Sequence, residues 1–127
     1  MGKILWVGFG GCLGSIGRYL LSGYVQHLLR NTGFPYGTLA VNLTGCLFIG
    51  FLSQWGETRG FLSPETRLFI FMGLLGGFTT FSTFGNETMN LWQAGESAAA
   101  FANVVVHVGL GLGAAWFGHV IAYGIWK

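Results

Sequence analysis

A chain of 127 residues that is 52% hydrophobic and only 8% charged, with mean hydropathy +0.59, lacks the charge to solvate a globular surface; soluble domains carry about 25% charged residues. Its net charge of +2 points to no nucleic-acid partner. The apolar residues fall instead into four blocks of the length that crosses a hydrocarbon core, roughly 20 helical residues each, which predicts an all-α integral membrane protein with a single four-helix transmembrane domain over 1–127.

The first span is expected at about 4–29. Lys3 precedes it, but no small-residue cleavage site follows and the run is too long for a signal-peptide core, so it is expected to stay in the mature protein. Arg18 lies well inside this span, where insertion scales charge roughly 2.5–3.5 kcal/mol for a central Arg. It needs a partner or an aqueous cavity, or else it snorkels to the nearer interface. A positive residue beside a wet vestibule favours anions over cations.

The second span, 37–55, carries no charge. Thr38 and Asn42 are four apart and share a helix face; the Asn42 amide is either interhelical glue or a donor to something that passes. The third span, 64–92, opens on Ser63-Pro64-Glu65, which reads as an N-cap, a first-turn proline and an acid near the positive helix end. Gly95 is placed to end it.

Near the middle of this span lies Gly76-Gly77-Phe78-Thr79-Thr80-Phe81-Ser82-Thr83-Phe84. Gly, Thr and Ser are mediocre helix formers, which predicts an interrupted helix; such backbone is tolerated at membrane depth only inside protein or along water. The alternative is a continuous helix whose hydroxyls bond back to their own turn. Phe78, Phe81 and Phe84 recur every third residue, a spacing that fits core packing. An aromatic edge is also the positive end of the ring quadrupole, suited to an anion that must enter and leave. Glu87, just beyond, is a vestibule residue or an interhelical hydrogen-bond partner.

The fourth span is expected at 98–126, with Asn103, His107 and Gly111 on one face. His107 has the character of a bundle histidine more than of a proton carrier. Trp6, Trp55, Trp92 and Trp126 fall near span ends, where amphipathic rings sit best. The connectors are 30–36, 56–63 and 93–97. Cys12 and Cys46 lie within spans as small apolar residues and imply neither disulfide nor metal site. The 23 glycines, with Gly10/Gly14, Gly73/Gly77 and Gly109/Gly113 spaced by four, let helices approach closely and suggest contacts between subunits as well as within one. With both termini on one side, that side holds Lys3, Arg59, Arg67 and Lys127 and the other Arg30 and Arg18, a modest lean towards cytoplasmic termini.

Taken together, Gly10-Gly11, Gly14 and Arg18, the run Gly37-Thr38-Leu39-Ala40-Val41-Asn42, the Gly76–Phe84 motif and Glu87 resemble the Fluc/CrcB fluoride channels along essentially the whole chain. The resemblance implies a multi-pass protein of the bacterial cytoplasmic (inner) membrane that exports fluoride passively and so relieves fluoride toxicity. It implies a dual-topology, antiparallel homodimer with two pores at the subunit interface. Phe81 and Phe84 would form aromatic boxes, Asn42 would donate to the ion, and Ser82 and Thr83 would supply hydroxyls, with Thr38 on the same path. Arg18, Glu87 and His107 would support a vestibule. A structural sodium ion would be held by the backbone carbonyls of Gly76 and Thr79. Two features depart from the family pattern: the charge bias exceeds what dual insertion wants, and the fourth span offers Gly109, Gly111 and Gly113 where relatives tend to place hydroxyls. Composition does not separate fluoride from chloride.

The competing reading is a small multidrug or guanidinium proton-coupled exporter, which needs an acid in the first span, where this chain has Arg18 and no Asp or Glu. A purely structural subunit leaves the polar centre of the third span unexplained. The sequence reads as no enzyme, since no nucleophile stands beside a base and no metal-ligand spacing occurs.

Overall fold

The computed structural model describes residues 2–60 and 62–125. It is all-helical: α1 Gly2–Leu28, a 3-10 turn Arg30–Thr32, α2 Tyr36–Arg59, α3 over 64–78, α4 Phe81–Gln93 and α5 Ser97–Ile125. Four stretches, Gly2–Leu28, Tyr36–Glu57, Pro64–Gln93 and Ser97–Ile125, are long and apolar enough to cross a membrane. Trp126 and Lys127, used above for span ends and charge bias, lie outside the described residues, as does the side chain of Arg59.

Local signals set the helix ends. Ser63 accepts a hydrogen bond from Thr66 N at 3.1 Å, one turn into α3, with Pro64 at the first helical position. Gly95, at φ +82, closes α4. The 56–63 connector begins later than the sequence suggests. α2 runs through Gly56 to Arg59 and stops at Gly60, whose φ of 63 only glycine adopts cheaply and whose N–H returns to Gly56 O. Within α3, Leu68–Leu75 is π-helical, a feature often found at functional sites that nothing in this uniformly apolar run announces.

Glycine governs how the helices meet. On Gly10 a Cβ would stand 2.5 Å from Phe69 O, on Gly73 2.8 Å from Val7 O, on Gly77 2.7 Å from Gly11 O, and on Gly14 it would overlap Leu74 O. Residue numbers rise together across this contact, so α1 and α3 run parallel with backbones touching. Gly50 against Ala115 and Gly118 against Phe51 join α2 and α5 in the same way, and with Gly111 beside Cys46 the numbers again rise together, so this pair is also parallel. Gly109 and Gly113 differ: among the described residues nothing from another part of the chain lies within 4 Å of a Cβ on either, so their spacing serves no packing among them.

Val41 and Asn103 are the largest fully buried side chains among the described residues, while Ile4, Leu5, Phe9, Leu20 and Trp116 lie exposed along the outer faces. An apolar exterior around a small, partly polar interior is the inverse of a water-soluble bundle and suits a hydrocarbon solvent.

Candidate functional site

Between α3 and α4 two residues leave helical geometry: Thr79 has φ −82 and ψ 160, and Thr80 has φ −152 and ψ 112. The cause lies across the interface on α2. Asn42 Oδ1 accepts from Thr80 N at 2.8 Å, and Asn42 Nδ2 donates to Thr80 O at 3.0 Å. The side-chain amide thus pairs with one residue of backbone much as a neighbouring strand would, which satisfies polar groups that cannot remain open in an apolar surround. Gly45, one turn further along α2, makes room for the Thr79 methyl, which a Cβ there would overlap.

This pairing redirects two carbonyls. In an unbroken helix Thr80 N would donate to Gly76 O, and Thr83 N to Thr79 O. Thr80 N is instead engaged by Asn42, and Thr83 N donates to Thr80 Oγ1 at 3.2 Å as the N-cap bond of α4. The Gly76 and Thr79 carbonyls therefore lose the donors a helix would supply. Arg18, half-buried, reaches Thr79 O through Nη1 at 3.4 Å, the long end of hydrogen-bond distances, and so sets a guanidinium charge beside the interruption. Among the described residues no three His, Cys, Asp or Glu side chains come together. A hard cation, which prefers oxygen donors, would have to use backbone carbonyls here.

Asn42, Gly76, Thr79, Phe81, Phe84 and His107 line one hollow of about 500 Å³, completed by apolar residues of α2, α3 and α5. Phe81 and Phe84 pack with centroids 5.4 Å apart at 53°. Phe84 is 9% exposed but Phe81 is 84% exposed, so the outer ring leans on Phe84 and is otherwise mostly open. Ser82 and Thr83 are exposed beside it. Asn42 Nδ2 carries two hydrogens; Thr80 O engages one, and the other is left for the hollow.

Behind Phe84 runs a chain of polar contacts. Asn103 Nδ2 donates to Thr88 Oγ1 at 2.9 Å, Thr88 Oγ1 donates to Phe84 O at 2.8 Å, and the His107 ring packs tilted by 39° against that of Phe84, centroids 4.4 Å apart. His107 Nδ1 lies 3.0 Å from Asn103 O. A carbonyl only accepts, so Nδ1 donates to it, and the buried Nε2 has no hydrogen-bond partner among the described residues.

Thr38 and Glu87 belong to a second hollow, of about 400 Å³, shared with Ser22, Gln26, Asn90 and Glu96. There Thr38 Oγ1 donates to Glu87 Oε1 at 2.7 Å, while Glu87 Oε2 is buried without a partner. The sequence-predicted residues thus divide. Asn42, Phe81, Phe84 and His107 gather at the first hollow, Thr38 and Glu87 at the second, and Arg18 sits at the interruption. Sequence reasoning missed Thr80, the pivot of the Asn42 pairing and the cap of α4, although Thr is a preferred N-cap residue at a helix start. It also missed Gln26, which donates to Phe34 O at 3.2 Å and accepts from Gly37 N at 3.1 Å. That clamp fixes the entry to α2 one residue ahead of Thr38, and no local pattern marks it.

The family described as "CrcB-like protein, Camphor Resistance (CrcB)" matches residues 5–119. A protein of Opitutus terrae named "Fluoride-specific ion channel FluC" is 43% identical over 127 aligned residues, covering 98% of this chain and 96% of its own. Proteins bearing the same name from Methylobacillus flagellatus and Dehalococcoides mccartyi are 42% and 44% identical, covering 93% and 88% of this chain and 92% and 85% of their own. With a match from the first span into the last and relatives aligned over 85–96% of their own length, the chain belongs to the CrcB family.

Proposed function

We propose that the protein is a fluoride channel that lets the ion leave the cell passively across the bacterial cytoplasmic membrane, working as an antiparallel homodimer with two pores at the subunit interface. The observation that carries this reading is the first hollow: a free Asn42 N–H, redirected backbone and a largely exposed Phe81 on the surface of a single subunit. Polar backbone at membrane depth has to be buried in protein or line water. A second copy laid over this face covers it and leaves a narrow, ring-lined polar passage.

A small, strongly hydrated anion needs replacement donors when it sheds water. Asn42 supplies an amide hydrogen, Ser82 and Thr83 supply hydroxyls, and the Phe81 and Phe84 edges supply weak positive potential without the trap of a buried cation. Arg18 adds positive charge beside the interruption, and Thr38, Glu87 and His107 give polar support on the way in. The substrate assignment draws on the names that the relatives bear. The chain has no acid in α1 for a proton-coupled exporter to use.

A structural sodium ion fits the donor set, because the Gly76 and Thr79 carbonyls have lost their helical partners. One subunit offers two such oxygens and two subunits four, so the ion would tie the pair together by charge–dipole attraction. The Arg18 guanidinium shares the Thr79 carbonyl and limits how much further positive charge that oxygen accepts.

Phe81→Ile tests the pore. It keeps an apolar side chain at a largely exposed position whose ring contact within the subunit is with Phe84, so the dimer should assemble while fluoride efflux from reconstituted vesicles falls to background. Wild-type efflux in this variant removes the ring from the path.

A further inference from the structure

Lys3, in the first turn of α1, and Arg67, one turn into α3, line a single hollow of about 470 Å³ whose remaining wall is mostly Leu68, Phe71 and Met72. It lies apart from both hollows described above, although Phe71 backs onto the larger one. Because α1 and α3 run parallel, two helix N-termini converge at this end, and each brings the positive pole of its backbone dipole. Glu65 occupies the same turn of α3 but does not line the hollow. Arg67 is steadied by the Phe71 ring, 5.7 Å from its guanidinium carbon, and among the described residues neither cation is engaged by a carboxylate.

Positive charge above an apolar wall, at the ends of two membrane-length helices, matches one kind of molecule. We propose that this hollow binds an anionic glycerophospholipid, with the phosphate between Lys3 and Arg67 and an acyl chain along Leu68, Phe71 and Met72. The inference rests on the membrane reading of the chain but on no feature of the pore. A free phosphate would meet the two cations and gain nothing from the apolar wall, whereas a lipid uses both, and basic groups at this depth attract anionic headgroups.

The test is native mass spectrometry of the full-length protein titrated with phosphatidylglycerol, with phosphatidylcholine of the same chains, and with soluble glycerol phosphate. Wild type should retain phosphatidylglycerol in preference to phosphatidylcholine, and glycerol phosphate should not displace it. K3Q/R67Q should weaken phosphatidylglycerol binding about thirty-fold, from the usual attraction of two basic groups near a membrane surface. K3Q alone should cost about five-fold, and K3R/R67K, which keeps both charges, should bind as wild type. Arg30→Gln, remote from the hollow, should change nothing. Equal retention of the two lipids, or unaltered binding in K3Q/R67Q, overturns the proposal; displacement by glycerol phosphate reassigns the hollow to a free anion. Wild-type protein that binds the lipid but passes no fluoride would count against the channel reading and leave this one standing.

Discussion

Asn42→Ala removes the group that pairs with the interruption and that the proposed ion path would use, and its two effects should separate in size. Truncation deletes two hydrogen bonds to Thr80, of 2.8 and 3.0 Å, each worth about 0.5–1.5 kcal/mol net. The loss in stability is therefore about 1–3 kcal/mol, and it falls towards the lower end because Thr80 N can return to Gly76 O and lengthen the helix. Conduction suffers more. A hydrogen bond to a charged partner contributes about 1.5–3 kcal/mol, so losing the free Nδ2 hydrogen slows fluoride by about 10- to 150-fold where the ion passes it. The assay is efflux from vesicles followed with a fluoride electrode, paired with denaturation in detergent to read stability. Flux within twofold of wild type would refute the role of the amide. A fold that collapses altogether would show the pairing to be structural beyond this estimate.

Gly14→Ala drives a methyl into the Leu74 carbonyl, where backbone on both sides has no room to yield. We expect a loss of at least about 3 kcal/mol and little folded protein on gel filtration. Gly109→Ala meets nothing in its own subunit, so it should shift the unfolding midpoint by less than the equivalent of about 0.5 kcal/mol. Thr38→Val keeps the shape but leaves Glu87 with neither oxygen answered. It should destabilise by about 1–3 kcal/mol, read as an earlier thermal transition, and a change below that range would mean water already serves the carboxyl group.

Much of the architecture was legible because membranes impose long, uninterrupted apolar runs, and because helix ends carry chemical marks such as Ser63-Pro64 and Gly95. Gly60 was the less visible stop, since the glycine at position 56 offered an earlier one, and only the left-handed backbone tells them apart. The π-helical stretch at Leu68–Leu75 was not legible, as its residues would serve an α-helix equally well.

The site was legible by residue type more than by contact. Asn42 and the Gly76–Phe84 run stand out as polar or weakly helical residues where apolar helix is expected. That Asn42 takes both backbone groups of Thr80, 38 positions away, is a consequence of packing that spacing along one helix does not encode. The Gln26 clamp likewise joins a side chain to a connector through backbone atoms, which any residue sequence supplies. Gly109 and Gly113 repeat the pattern of Gly10 and Gly14 but lie open on the subunit surface, so glycine spacing marks a face fit for close contact without naming what meets it.

The most direct measurement is wild-type protein in sealed vesicles loaded with equal fluoride and chloride, with both anions followed by electrode and no pH gradient applied. Fluoride should empty and chloride should stay. Chloride leaving at a comparable rate, or fluoride moving only when protons are driven the other way, would contradict a passive, selective passage through the subunit pair.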